Sequence, residues 1–240
     1  ARFETPTDNG LSHFVEHMLF RGTSLYPTSL ALNTAVEQLG SSLHAETGRD
    51  NSLFQLSLDP DHVEAGLALL GELVTRPRFS DIELERALIL EELTEDYDED
   101  GREINVDDLS RGALFGEGPL AQRILGPKSN VERFSIDDVR RYFSTTYVAR
   151  NMRLCVTGPV EHARVVEAAR RALSGIASGA RCEFVAAPAS TRGPRVVHVS
   201  DSGSQTELSV VFRAVPELSP AYTSMLALLR VLDGGMSTRL

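Results

Sequence analysis

Gly10-Leu11-Ser12-His13-Phe14-Val15-Glu16-His17-Met18-Leu19-Phe20-Arg21-Gly22 is the stretch on which the reading of this 240-residue chain turns. On a helix, at about 100° per residue, His13 and His17 stand one turn apart on one face with Glu16 beside them. Leu11, Phe14, Val15, Met18 and Leu19 cover the other faces. An all-round apolar helix is a buried helix. Three ionisable groups along one stripe of it are costly unless something compensates them.

A divalent metal is the compensation that suits two imidazoles and a carboxylate. Histidines four apart can each turn a ring nitrogen toward one zinc ion at about 2.0–2.1 Å. Glu16 is not needed as a ligand, and next to the metal it can take a proton from water that the metal activates. The order H-x-x-E-H is the inverted form of a zinc-enzyme motif. The plainer alternative is a core helix with two hydrogen-bonded histidines and a stray glutamate.

A second informative stretch runs from Asp81 to Asp100, where a long helix is predicted. Ile82, Leu84, Leu88, Ile89 and Leu93 form its apolar stripe. Glu85 and Glu92 are two turns apart and fall between Leu88 and Ile89, where apolar contacts belong. Buried carboxylates are paired or bind a metal. Glu92 is therefore the expected third ligand. Glu85 is expected to orient a histidine or to serve as an alternate ligand. The alternative is that both are ordinary solvated helix glutamates. The following Glu95, Asp96, Asp98, Glu99 and Asp100 read as a solvated helix end.

Composition sets the class. Apolar residues make up 42% and charged residues 24%, with a net charge of -10. These are ordinary values for a globular protein with a real core. The negative charge argues against nucleic acid and against an anionic membrane surface. No apolar run approaches the ~20 residues of a membrane span. Cys155 and Cys182 suggest neither a disulfide framework nor a zinc knuckle. The sequence shows no signal peptide but does not begin with Met. The expected compartment is cytoplasmic, or periplasmic or organellar if a leader was removed.

The rest of the chain reads as alternating elements. Thr7, Asp8 and Asn9 offer N-caps to the His13 helix, and Thr28 or Ser29 caps a second helix to about Leu39. Ser42–Thr47 and Ser52–Leu58 predict a β-hairpin. Helices are expected from Asp59 to Thr75, within 101–116, from Ile136 to Phe143, and from Val160 to Ser174. Asn151–Thr157, Arg195–Val199 and Thr206–Phe212 read as strands, and Pro220–Leu232 as a last helix. His62 and His162 read as surface residues at helix starts. Pro188–Pro194 is the one convincing linker. The expected organisation is a first domain over 1–187, the linker over 188–194, and an incomplete second domain over 195–240. The order fits an α+β two-layer fold.

Gly10–Thr23, then Glu85-Arg86 with Ile89-Leu90-Glu91-Glu92, resembles the pitrilysin/insulinase/mitochondrial processing peptidase family of zinc endopeptidases. The 75 residues from His17 to Glu92 are close to that family's spacing. Pro119-Leu120 with Ile124-Leu125-Gly126, Asn151-Met152 and Gly234–Leu240 fit as well, so the resemblance covers essentially the whole chain. It implies zinc bound by His13, His17 and Glu92, Glu16 as general base, and Glu85 as support. It implies an extended peptide substrate added as a β-strand beside His44 and Ala45. Here the chain departs from the pattern, since the family usually has Asn-Ala. The resemblance further implies two similar domains across a cavity, a homo- or heterodimer, and a substrate-holding Arg and Tyr supplied by sequence after Leu240 or by a partner. A subunit of a two-chain peptidase and a non-catalytic, peptide-binding paralogue are the alternatives.

Overall fold

The computed structural model describes residues 1–183, 186, 195–200 and 205–233. The linker expected at 188–194 and the Gly234–Leu240 stretch lie outside the described residues.

The chain is α+β, a set of helices with one small hairpin among the described residues. Helix α1 (Leu11–Leu19) is its centre. Leu11, Phe14, Val15, Met18 and Leu19 are all fully buried. Around them stand α2 (Ser29–Glu37), the antiparallel strands β1 (Leu43–Thr47) and β2 (Ser52–Leu56), α3 (Val63–Thr75) and α4 (Ile82–Glu92). Further on come α5 (Val106–Phe115), α6 (Lys128–Arg133), α7 (Ile136–Thr146), α8 (His162–Ala172) and α9 (Tyr222–Asp233). Helix α1 packs on α4, on α7 and on β1, while α3 lies along α8. Phe14 meets Phe134 edge to face, with ring centroids 5.8 Å apart. Thr28 caps α2 by accepting from the Ala31 amide, as the sequence leads one to expect, and Ser135 with Asp138 forms a capping box on α7.

The N-terminus of α1 is built differently from the expectation. None of Thr7, Asp8 or Asn9 caps it with a side chain; the N-cap position is Gly10, at φ 103°. The buried carboxylate of Glu4 does the work instead. Its Oε1 accepts from the Ser12 amide at 2.6 Å, and its Oε2 accepts from the Gly10 amide at 3.1 Å and from Asn9 Nδ2 at 3.0 Å. A negative group there also meets the positive end of the helix dipole. Gly10 crosses Gly126 backbone to backbone. A Cβ on Gly126 (φ 76°) would lie 2.3 Å from the Asn9 carbonyl oxygen, and one on Gly10 would lie 2.5 Å from that of Leu125. Only glycine permits both the approach and the left-handed backbone. Asn130 Nδ2 locks the crossing by donating to the Pro6 and Asn9 carbonyls, each at 2.9 Å.

Three further expectations are corrected. The long helix after Asp81 ends at Glu92, passes into one 3-10 turn over Leu93–Asp96, and gives way to a tight turn. Asp98 stops it by accepting from the Asp100 and Arg102 amides, the turn-forming habit of a short carboxylate. Its inward face is Glu85, Ile89 and Leu93, whereas Leu84 and Leu88 are exposed. Finally, Asn151–Thr157, Arg195–Val199 and Thr206–Phe212 form no strand pairs; among the described residues the only sheet is the hairpin. Their apolar alternation is present, but Leu208, Val210 and Phe212 are exposed, and among the described residues no ladder partner lies beside them. Alternation marks which face a side chain takes; a strand also needs an edge to pair with.

Candidate metal centre

Helix α1 brings His13 and His17 onto one face with ring centroids 4.6 Å apart. Helix α4 is anchored across them by Arg86, which donates to the Val131 and Phe134 carbonyls and sits over the Phe14 ring. That anchorage delivers Glu92, the last residue of α4. Its Oε2 lies 3.7 Å from His13 Nε2 and 3.7 Å from His17 Nε2. The three donor atoms all fall within 4.8 Å of one another. Tetrahedral ligands at 2.0–2.1 Å from zinc stand roughly 3.4 Å apart. The donor set and its spacing therefore fit zinc with little movement.

The protonation state of His13 fits too. Burial, then the neighbouring His17, pushes His13 down to about 4. The ring is neutral at physiological pH, which is the form that ligates a metal. His17 Nδ1 is 2.9 Å from Glu85 Oε2, so Nε2 is the nitrogen left facing Glu92. Burial opposes charge on His17, but the Glu85 hydrogen bond and the carboxylates of Glu85, Glu92 and Glu16 outweigh it and raise its pKa. Glu85 is buried, which alone would raise its pKa, yet His17 and Arg21 hold it below the ordinary value. Glu92 moves the other way. Burial raises it, Glu16 and Asp96 add to the rise, and His17 opposes them.

The sequence placed His13, Glu16, His17, Glu85 and Glu92 in one cluster, and all five meet here. Arg21 was not anticipated. It pairs with Glu85 Oε1 from the turn after α1, four residues beyond His17. That spacing was the available signal. Thr47, which donates to Glu16 Oε2, was missed as well, and no local pattern announces it. His44 and Ala45 lie in β1, paired with Gln55 and Phe54 of β2. His44 is exposed, and the other edge of β1 has no strand partner among the described residues. His62 and His162 are exposed and apart from the centre, as expected.

Replacing Glu85 by Gln removes the charge that orients His17 and leaves the half-buried Arg21 without its counter-ion. Zinc affinity is expected to fall about 10–100-fold, as it does when a ligand's supporting carboxylate is lost. Competition against a chromophoric chelator measures it.

Against known proteins, the family profile described as Insulinase (Peptidase family M16) matches residues 1–128, and that described as Peptidase M16 inactive domain matches residues 133–240. The chain belongs to peptidase family M16. Within M16 it is similar to the mitochondrial-processing peptidase subunit beta of Dictyostelium discoideum, 28% identical over 225 residues, covering 92% of this chain and 48% of that protein. It is also similar to an uncharacterized zinc protease of Rickettsia bellii, 28% identical over 249 residues, covering 100% of this chain and 58% of that one. A solved structure described as a peptidase M16 inactive domain, from Pseudomonas fluorescens, superposes with TM-score 0.75 at 16% identity. It covers 99% of this chain and 59% of its own. That likeness confirms the M16 fold. The chain thus spans about half the length of the relatives it matches. Helix α7 and Phe134, which fall within the second profile, share one core with α1. Among the described residues no helix is long and apolar enough to cross a membrane.

Proposed function

We propose that this M16 chain carries the metal-binding half of a zinc metalloendopeptidase that hydrolyses unfolded peptides or protein segments. The convergence of His13 Nε2, His17 Nε2 and Glu92 Oε2 is the observation that carries the reading. These three residues would hold one zinc ion. When bound, zinc supplies a Lewis acid that polarises the scissile carbonyl and lowers the pKa of water.

The other steps fall to the chain's own groups. Glu16 follows the His13 turn on α1, beside His17 and close enough to Glu92 to raise its pKa. It removes the proton from the attacking water and returns it to the departing amine nitrogen. Glu85 holds the His17 ring in the ligating orientation. The open edge of β1 takes the substrate as an added strand, with main-chain hydrogen bonds fixing the scissile bond and His44 and Ala45 lining it. Because such pairing reads backbone, it requires an unfolded segment more than a particular side chain. The domains proposed are 1–187 for the metal-binding unit and 195–240 for the start of a second unit, joined by 188–194.

A second reading is supported by the match of 133–240 to a profile described as inactive and by a relative whose name makes it a subunit. In that reading the chain works with a second chain, as a homo- or heterodimer, or binds peptides without cutting them. The compartment proposed is cytoplasmic, or organellar or periplasmic if a leader precedes Ala1.

Metal removal separates the readings. In the full-length protein, a chelator is expected to abolish cleavage of an unstructured quenched-fluorescent peptide, and added zinc to restore it. Stoichiometric zinc with no cleavage of any peptide, alone or with a partner subunit, would select the binding role.

A further inference from the structure

The hydrogen-bond partner of Glu16 comes from another element. Thr47 is the last residue of β1 and is buried, and its hydroxyl donates to Glu16 Oε2. In the hairpin register Thr47 stands opposite Ser52, and the two hydroxyl oxygens are 3.2 Å apart. The Thr47 proton is already given to the carboxylate, so Ser52 is the donor in that second contact.

The hairpin that carries these hydroxyls is held at both ends. In its turn, Arg49 pairs with Asp107 at 3.0 Å and Asp108 at 2.6 Å on α5. On β2, Phe54 packs against Tyr147, with ring centroids 6.4 Å apart. Thr47 is therefore a fixed point on a fastened strand. Glu16, by contrast, is a long side chain with three rotatable bonds. A carboxylate acting as a base uses one oxygen at a time, and its plane must be set toward the reacting water.

We propose that Thr47 is a positioning residue: its hydroxyl, itself held by Ser52, fixes the Glu16 carboxylate through Oε2 and leaves Oε1 as the oxygen that takes the proton. This rests on Glu16 being the general base. It also gives β1 two tasks, since the strand whose outer edge would take the substrate sets the base from its inner face. Substrate backbone and proton acceptor are then registered to one element.

The test compares Thr47→Val, which keeps the shape and loses the hydroxyl, with Thr47→Ser, which keeps the hydroxyl. Both are assayed in the intact zinc-loaded protein on a quenched peptide. Thr47→Val is expected to lower kcat about ten-fold with KM and zinc content unchanged, while Thr47→Ser stays within about two-fold of wild type. Ser52→Ala, one step further out, is expected to lower kcat about three-fold and supplies the test should the valine fail to fold. A crystal structure of the valine variant is expected to show the Glu16 carboxylate rotated from its wild-type plane. Wild-type kcat in Thr47→Val, an equal loss in Thr47→Ser, a loss confined to KM or zinc content, or an unmoved carboxylate would each overturn the proposal. A dead Glu16→Gln beside a full-rate Thr47→Val removes only the role of Thr47. A fully active Glu16→Gln removes the general base itself, and Thr47 with it.

Discussion

Glu16→Gln is expected to lower kcat/KM for peptide cleavage about 1,000-fold, within the range a general base contributes, while the protein still binds zinc. That loss corresponds to about 4 kcal/mol of transition-state stabilisation. The substitution is nearly isosteric, and the Gln carbonyl oxygen can still accept from Thr47. What it removes is the ability to take a proton. The metal ligands lie on the neighbouring positions of the same face, and Glu16 is not among the three atoms that converge. Peptide kinetics alongside metal analysis of the same preparation checks both halves. Cleavage at the wild-type rate would end the general-base assignment; a preparation without zinc would make Glu16 part of the metal cage.

Glu92→Gln is expected to weaken zinc binding more than 100-fold and abolish cleavage with it. A supporting carboxylate alone is worth about 10–100-fold, and a direct ligand exceeds that. The control is Glu91→Gln on the adjacent, exposed position, which is expected to bind zinc as wild type does. The pair matters because Glu91 and Glu92 cannot be told apart by composition, only by which face of α4 they occupy. Glu92 sits at the end of the helix with 45% of its side chain exposed, so the change leaves the core untouched. Circular dichroism is expected to be unaltered. Loss of zinc in Glu91→Gln and its retention in Glu92→Gln would reverse the assignment.

The centre was unusually legible in the sequence because helical geometry is local. His13, Glu16 and His17 are related by one turn of backbone, so their spacing fixes their mutual placement. Glu85 and Glu92 repeat the same logic on α4, two turns apart, though only Glu85 takes a core position and Glu92 stands exposed at the helix end. The apolar stripe itself was misjudged: Leu84 and Leu88 point outward, and Glu85 takes the buried place beside Ile89. A buried glutamate looks polar in any periodicity count, so the charge drew the expected face around the helix by about one residue. Capping failed for a related reason. Glu4 reaches the α1 amides from eight residues upstream of Ser12, which no capping pattern describes. The hairpin and the helices beginning at Ser29, Val63, Ile136 and His162 were readable from turn residues and periodicity. Among the described residues the strands expected after Asn151 do not pair, since pairing is a property of two segments and the alternation belongs to one.

The Arg21–Glu85–His17 line has a consequence for what the protein is without its ion. Glu16, Glu85 and Glu92 bring three carboxylates to one place beside Arg21, and the pKa values of His17 and Glu92 are both raised there, so the junction without a metal holds protons more tightly than usual. A divalent cation bound there would compete with those protons for the same side chains. Packing brings the carboxylates of α1 and α4 together, and either protons or a bound cation would relieve the repulsion between them. Cation uptake would then release those protons and tie the two helices together, so metal affinity at this junction is expected to rise with pH.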